Sequence, residues 1–312
     1  MINNPSATHL AGASHILPHR DRILQTLRGE PTDRIARGEF FIADDFVRAF
    51  LALAAEAIVT HDQRVAVIEQ LDLDLAAVSF SEGWGALKQP DEDGALESLM
   101  RWKSESDRFV FAVIDGPFIA ATRAAGFDAM MQYIHKIPNV AADYYRKGAE
   151  EAGVMAQAAR DAGADGVVLG EDLAYNRSTF FSPKQLRECY FPALADAVRQ
   201  MRALGLVVFF HSDGNLNSIL PDLAACKFDG IQGLEPAGGM ALPSAREKIG
   251  NALTLWGNAS FDFLSAARSD HEIAQAIQAI TAARGKTILG SCAGLVPGMQ
   301  IETVRRFYRC AI

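Results

Sequence analysis

Short apolar runs alternate with longer amphipathic segments along almost the whole chain. Each run is rich in β-branched and aromatic residues and ends at a polar residue, as is typical of buried strands. We predict eight strands, at residues 39–42, 75–80, 110–114, 166–169, 206–210, 230–234, 253–256 and 287–289. The intervening segments repeat apolar positions at helical spacing, and we predict helices at residues 44–57, 61–70, 120–135, 140–162, 183–203, 217–225, 243–249, 270–283 and 301–308.

Capping residues mark several boundaries of these helices. Ser182 stands before Pro183, which suits the first helical position because an N–H there would have no partner within the helix. Ser269 and Glu272 have the spacing of a capping box, and Gly250 is a stop signal after residues 243–249. Strands and helices that alternate in this way form parallel sheets joined by right-handed crossovers.

Eight β/α units predict the α/β class and, within it, a closed (β/α)8 TIM barrel. A doubly wound dinucleotide-binding sheet has no support, because no Gly-x-Gly-x-x-Gly follows the first strand. The 312 residues contain no segment with the composition of a linker, so residues 20–312 are predicted to form one domain. The predicted additions are a flexible arm at residues 1–19, a helix at residues 20–27 and a helical insertion at about residues 116–163, after the third strand.

The charge balance argues against two classes of partner. The chain has 30 Lys and Arg against 38 Asp and Glu, a net charge of -8 at pH 7, and no basic run. Nucleic acids and anionic membranes are not expected partners, since both need a concentrated positive surface. The longest nearly apolar stretch, residues 49–59, is too short to cross a membrane. Four cysteines without a CxxC pair, and no secretory signal, predict a cytoplasmic protein.

Polar side chains that can bind a metal or move a proton follow nearly every predicted strand. In a barrel these strand ends converge on one rim, where the chemistry of such folds collects. Imidazole, carboxylate and thiolate groups there can supply three ligands to zinc and leave a fourth position open, as in catalytic sites. Taken singly, a strand-end histidine or a buried cysteine is more simply structural. The candidates are Glu39, Glu82, Asp115, Glu171, Asp172, His211, Asp213, Glu235, Asn258 and Cys292.

Several segments of the chain resemble the uroporphyrinogen decarboxylase superfamily. Residues 22–34 resemble its N-terminal helix. The other segments are Gly-Glu-Asp-Leu at 170–173, Thr-Phe-Phe-Ser-Pro at 179–183, His-Ser-Asp-Gly-Asn at 211–215, Trp-Gly-Asn at 256–258 and Gly-Ser-Cys-Ala-Gly-Leu at 290–295. The resemblance runs from about residue 20 to the C-terminus and implies a TIM barrel, in agreement with the count of strands.

The superfamily contains two kinds of enzyme. Its metal-free decarboxylases carry an arginine-rich segment after the first strand that binds the carboxylates of the substrate, whereas residues 39–45 of this chain are apolar and acidic. Its zinc-dependent methyltransferases pass methyl groups between corrinoid proteins and thiols or methylated substrates. Their zinc motif is His-x-Cys, then a Glu in the related methionine synthases, then a Cys near the last strand. The resemblance assigns these positions to His211, Glu235 and Cys292.

Asp213 stands where this motif has its first cysteine. A carboxylate is a harder ligand than a thiolate and pushes less electron density onto zinc, which makes the metal a stronger Lewis acid. Such a metal suits removal of a methyl group from an ether or amine better than activation of a thiol. We therefore expect a demethylase that uses zinc, takes the methyl group from a methoxylated aromatic or a methylamine, and delivers it to a corrinoid protein.

Other residues at the rim have secondary expected roles. Glu171 and Asp172 are candidates for orienting His211 or for acting as a catalytic acid. Asp213 is a candidate both for the fourth metal ligand and for a catalytic group. The candidate substrate-binding residues are Asn258, Asp115 and Tyr175.

Two alternatives stay open. A metal-free lyase would decarboxylate an aromatic or porphyrin-like substrate in an arginine-lined cavity, for which Arg37, Arg123 and Arg177 are the candidates. A degenerate barrel without activity would bind a corrinoid or a partner protein, and its four candidate metal ligands would lie too far apart to share an ion. A homodimer is compatible with the apolar first helix.

Overall fold

Eight parallel strands form a nearly closed barrel, as predicted. The computed structural model describes residues 16–80 and 94–310. The strands are β1 (Ala36–Arg37), β2 (Leu75–Ser79), β3 (Phe109–Asp115), β4 (Gly166–Gly170), β5 (Val207–Ser212), β6 (Gly230–Gly233), β7 (Thr254–Ala259) and β8 (Thr287–Ser291). They pair in the order β1-β8-β7-β6-β5-β4-β3-β2. Between the two end strands of this order, the N–H of Asp74 donates to the carbonyl oxygen of Arg37 over 2.8 Å.

Helices follow the strands and cover the barrel. In the described parts of the chain they are α1 (His19–Arg28), α2 (Asp44–Leu51), α3 (His61–Gln70), α4 (Gly94–Glu105), α5 (Pro117–Ala125), α6 (Phe127–Lys136), α7 (Pro138–Asp161), α8 (Pro183–Cys189), α9 (Phe191–Ala203), α10 (Leu220–Ala225), α11 (Leu242–Ile249), α12 (Phe261–Leu264), α13 (Asp270–Thr281) and α14 (Ile301–Cys310). The helical insertion after the third strand is confirmed as α5, α6 and α7. None of the helices among these residues is long and apolar enough to cross a membrane.

The first predicted strand was wrong by a few residues. Residues 39–42 follow β1 rather than form it. The strand itself was missed because it contains Arg37 and so lacks an unbroken apolar pattern. The N-terminal helix is confirmed as α1, and it begins at His19, the last residue of the predicted arm. Residues 1–15 of that arm, and Glu82, lie outside the described residues.

Local backbone geometry divides or shortens three predicted helices. The helix predicted at residues 120–135 is interrupted at Gly126, whose φ of 88° leaves the helical region. The helix predicted at residues 183–203 is interrupted at Tyr190. α2 ends at Leu51, where the following Ala52 adopts a left-handed conformation. The helices α4 and α12 were not predicted.

Aromatic side chains fill the barrel interior. Phe111, Phe209 and Trp256 are fully buried and lie with ring centroids 5.3 to 5.7 Å apart. Glycines on neighbouring strands make room for them: a Cβ at Gly230 would lie 2.2 Å from Phe209, and one at Gly166 would lie 2.6 Å from Phe111. The interior is therefore a packed core rather than a channel, and the candidate site is confined to the rim.

A buried ionic cluster anchors α1 across the amino-terminal end of the barrel. Asp74, which is 0% exposed, accepts hydrogen bonds from Arg22 Nη1 at 2.5 Å, Arg34 Nη1 at 2.7 Å and the backbone N–H of Arg37 at 2.8 Å. Hydrogen bonds from His19 and Arg34, with the charges of Arg34 and Arg22, hold the pKa of Asp74 below its usual value despite its burial. A buried carboxylate with this many donors joins α1, β1 and β2 at the end opposite to the strand carboxyl termini.

Candidate metal centre

Three residues from adjacent strand ends meet at the carboxyl rim of the barrel. His211 belongs to β5, Asp213 follows it, and Asp172 follows β4. One ligand-type atom from each lies within 4.8 Å of those of the other two, and His211 Nε2 is 3.8 Å from Asp172 Oδ1. The backbone N–H of Asp213 donates to Asp172 Oδ1 over 3.3 Å. An imidazole and two carboxylates at this spacing form a donor set for a divalent metal ion.

Gln232 determines the tautomer of His211 and was not predicted from the sequence. Its Nε2 donates to the carbonyl oxygens of Ser291 at 3.1 Å and Cys292 at 3.3 Å, so its Oε1 faces His211 Nδ1. Because an amide oxygen only accepts, Nδ1–H is the donor of that hydrogen bond. A neutral imidazole then carries its lone pair on Nε2, the nitrogen that faces Asp172. The signal in the sequence was a single amide within an apolar strand.

Phe40 covers one face of the His211 ring. The two rings are stacked, with centroids 4.3 Å apart and an interplanar angle of 24°. His211 is 2% exposed and Phe40 is 3% exposed. Together with the bond from Gln232, this stacking holds the imidazole in one orientation, and it shields the ring from water.

Asp213 presents a buried oxygen toward this group of charges. Its Oδ1 has no hydrogen-bond partner among the described residues. Burial raises the pKa of Asp213 to about 6; the charge of His211 opposes this shift, and the carboxylates of Asp172 and Glu235 add to it. Buried polar atoms in native proteins are almost always satisfied. An orphaned carboxylate oxygen beside an imidazole and a second carboxylate therefore fits a bound cation.

Glu235 and Cys292, two of the four predicted metal ligands, lie outside the group formed by Asp172, His211 and Asp213. Glu235 Oε2 accepts a hydrogen bond from the backbone N–H of Gly214 over 3.3 Å. Cys292 is 2% exposed, and burial raises the pKa of its thiol to about 12, helped by the charges of Asp213 and Glu235. Both residues therefore border the group without joining it.

Asp172 joins the group because of its backbone conformation. It was predicted as a catalytic residue and not as a ligand. Its φ of 35° lies in the left-handed region, which is uncommon for a residue with a side chain. Hydrophobic periodicity carries no information about such a turn, so the sequence predicts Asp172 at the rim but not its contact with His211.

Glu171 is fully buried and serves as an anchor for α5. Its carboxylate accepts hydrogen bonds from the backbone N–H of Phe118 at 2.8 Å and the hydroxyl of Tyr190 at 2.6 Å. A Cβ at Gly116 would lie 2.3 Å from this carboxyl group. Burial raises the pKa of Glu171 to about 8; hydrogen bonds from Tyr190, Phe118 and Ile119 oppose that shift, and the charge of Asp115 adds to it. These contacts are structural, and they favour an anchoring role over the predicted catalytic one.

The three predicted substrate-binding residues lie around the rim in different environments. Asn258 donates both Nδ2 hydrogens to backbone, to the carbonyl oxygens of Leu234 at 2.8 Å and Met240 at 2.9 Å, and so braces the loop that carries Glu235. Asp115 accepts a hydrogen bond from Arg123 over 3.1 Å. Tyr175 is half-exposed and stacks on Phe180, with ring centroids 5.8 Å apart. Their part in substrate binding stays a prediction.

The sequence model of the family described as uroporphyrinogen decarboxylase (URO-D) matches residues 84–311, well over half of the chain. The chain belongs to this family. A methyltransferase from Methanosarcina mazei has a similar structure, with a TM-score of 0.78 and 20% identity over 95% of this chain and 98% of that chain. A putative vitamin-B12 independent methionine synthase from Listeria monocytogenes aligns with a TM-score of 0.52 and 14% identity, over 89% of this chain and 96% of that chain. These identities show a shared fold. Among curated proteins, none matches this chain.

The described rim of this barrel is acidic. The three arginines considered for a decarboxylase are dispersed. Arg37 bonds Asp72 over 2.9 Å at the opposite end of the barrel, and Arg123 bonds Asp115. Arg177 is exposed in the loop after β4. The rim residues described above are mainly carboxylates, which suit a cation better than a polycarboxylate substrate.

Proposed function

We propose that this protein is a metal-dependent methyltransferase of the URO-D family, which takes a methyl group from a small methylated compound and passes it to a corrinoid protein. The observation that carries this proposal is the grouping of Asp172, His211 and Asp213 at the carboxyl rim of the barrel. A metal-free decarboxylase needs positive charge for its carboxylate substrate, whereas this group adds negative charge to the rim. The fold that the chain shares with a methyltransferase from Methanosarcina mazei is consistent with the proposal.

The donor set fits zinc. His211 Nε2 and the carboxylates of Asp172 and Asp213 would hold the ion, and three protein ligands leave one position for a substrate. The tautomer imposed by Gln232 and the orphaned Oδ1 of Asp213 support this assignment. When bound, zinc supplies Lewis acidity at the oxygen or nitrogen that the methyl group leaves. With no thiolate in the group, this acidity is greater than in a cysteine-ligated centre.

The protein's own residues position the donor group and shield the His211 ring from water. Gln232 and Phe40 hold the His211 ring, and the loop braced by Asn258 places Glu235 beside the centre. A corrinoid partner, when bound, would supply the reduced cobalt that accepts the methyl carbon as its bond to oxygen or nitrogen is broken. The leaving atom keeps the electron pair and takes a proton from solvent at the open rim. A methoxylated aromatic suits the stacked rings of Tyr175 and Phe180.

Metal content is the first test of this proposal. Protein purified without chelator is expected to contain one zinc per chain by elemental analysis. His211→Ala and Asp213→Asn should each lose most of the metal, because each removes a ligand, whereas the matched surface variant Asp196→Asn should keep it. Cys292→Ser should also keep the metal. Full activity of metal-free protein would end the proposal, and loss of zinc in Cys292→Ser as well as in the other two variants would add Cys292 to the ligand set.

Methyl transfer itself can be followed with free reduced cobalamin as the acceptor. Methoxylated aromatics and methylamines are offered as donors, and formation of methylcobalamin is read from its absorbance. At least one donor is expected to react in wild type and not in His211→Ala. Release of carbon dioxide from carboxylated aromatics, insensitive to chelators, would instead support the metal-free lyase.

A further inference from the structure

A cavity of about 390 Å³ opens beside β1, between the carboxyl ends of α3 and α14. It lies at the amino-terminal end of the strands, away from the metal centre. Its volume is that of a site for a small molecule. Its lining includes four arginines and a single carboxylate: Arg34, Arg37, Arg305, Arg309 and Asp72.

Two of these arginines compete for the one carboxylate. Arg34 Nη2 and Arg37 Nη1 each lie 2.9 Å from the same oxygen of Asp72, Oδ2. Both side chains are mostly buried, with 14% and 6% of their area exposed. Burial, and then the neighbouring charge of Arg34, lower the pKa of Arg37. Arg34 also donates to Asp74 behind the wall, from Nη1 over 2.7 Å and from Nη2 over 2.9 Å. Arg22 and His19 of α1 contact the same carboxylate.

The other two arginines come from one face of α14. Arg305 and Arg309 are four residues apart, so they lie on the same side of the helix. Arg305 is positioned by Phe50, since it donates to the carbonyl oxygen over 3.0 Å and lies 4.3 Å from the ring centroid. Arg309 is exposed at the mouth of the cavity. Because these residues are far from Arg34 in the sequence, no local pattern predicts the cluster.

The cavity wall carries a positive excess that suits an anionic group. Asp74 neutralises Arg34. Asp72, with partial charges of about half a unit at the carboxyl ends of α3 and α14, offsets about two of the other three guanidinium charges. An excess of about one positive charge remains, in a chain whose net charge is -8. A phosphate ester carries about two negative charges at pH 7. Guanidinium groups bind its oxygens in pairs, with a geometry that matches their fork.

We propose that this cavity binds a phosphorylated small molecule, whose phosphate is held by Arg37, Arg305 and Arg309. The volume leaves space beyond a single phosphate group, so the ligand is of metabolite size. The site is separate from the metal centre and does not depend on the proposed methyl transfer.

Calorimetric titration of the full chain with inorganic pyrophosphate tests the proposal. Saturable binding at one site is expected, weakening as salt is raised. Arg309→Gln should weaken binding about tenfold, because it removes charge-assisted hydrogen bonds from an exposed position where folding is not at risk. Arg199→Gln, which removes an exposed arginine from α9, is the matched control and should bind as wild type does.

Three results would overturn the proposal. The first is no saturable binding of pyrophosphate at millimolar concentration. The second is equal weakening by Arg309→Gln and Arg199→Gln, which would mean attraction to the surface at large. The third is tighter binding of citrate than of pyrophosphate, which would assign the cavity to carboxylates. A rise in the thermal unfolding midpoint with pyrophosphate in wild type, lost in Arg309→Gln, would support it independently, since a ligand of the folded state stabilises that state.

Discussion

At the residue scale, the orientation of His211 depends on a side chain behind it, Gln232. Gln232 uses both ends of its amide, one on the carbonyl oxygens after β8 and the other on His211 Nδ1. This arrangement fixes which imidazole nitrogen faces Asp172 and makes Gln232 a positioning residue. His211 was identified from the sequence because polar residues at strand ends are conspicuous. Gln232 was not, because its role exists only when β5, β6 and β8 lie side by side.

Replacement of Gln232 by leucine should weaken metal binding without unfolding the protein. The loss of the acceptor frees the His211 ring to rotate or change tautomer, and partners of this kind typically contribute about 10- to 100-fold in metal affinity. Zinc affinity measured by competition with a chromophoric chelator is the readout. Gln275→Leu, at an exposed position on α13, should retain wild-type affinity. Unchanged zinc affinity in Gln232→Leu would remove Gln232 from the site.

At the element scale, boundaries marked by local chemistry were predictable and those set by packing were not. The capping box of Ser269 and Glu272 and the cap at Ser182 are present as predicted. The interruptions at Gly126 and Tyr190 were missed because periodicity continues across them. Packing contacts set the boundary at Tyr190. Glu171 accepts hydrogen bonds from the N–H of Phe118 and the hydroxyl of Tyr190, and so connects α5 to the start of α9.

Glu171→Leu should destabilise the protein through this junction. It leaves the buried N–H of Phe118 and the hydroxyl of Tyr190 without an acceptor, at about 1 to 3 kcal/mol each. The free energy of unfolding from urea titration should therefore fall by about 2 to 6 kcal/mol. Glu171→Gln keeps an acceptor and should lose less, and the exposed Glu150→Gln on α7 should change little. Wild-type stability in Glu171→Leu would show that the carboxyl group is not an anchor.

At the scale of the whole molecule, residues from both ends of the chain close the barrel. Glu39, just after β1, accepts hydrogen bonds from Ser291 Oγ at 2.6 Å, from the Ser291 N–H at 3.0 Å and from the hydroxyl of Tyr308 in α14. This carboxyl group is fully buried, and burial raises its pKa to about 7, while the three hydrogen bonds oppose the rise. The stability of this closure therefore depends on pH.

Stability should decline as pH rises through the interval between the two pKa values of Glu39. Above its usual value of 4.5, the unfolded chain releases the proton, while the folded protein retains it up to about pH 7. The free energy of unfolding falls across this window by about 3 kcal/mol. Glu39→Gln should flatten the wild-type profile there, although Glu171 adds a dependence of the same sign to both proteins. The free energies of unfolding of wild type and Glu39→Gln, measured in urea from pH 4 to 8, would run parallel if the pKa of Glu39 were not raised.

The sequence by itself determined the α/β class, the barrel and the set of polar residues at its rim, because hydrophobic periodicity and strand ends are local properties. Only the tertiary structure decided which of those residues meet. It grouped Asp172 with His211 and Asp213, and left Glu235 and Cys292 at the border, because these contacts depend on backbone angles and side-chain directions. It also brought arginines from both ends of the chain to one cavity. Distances between residues remote in sequence are set by folding, and no local pattern encodes them.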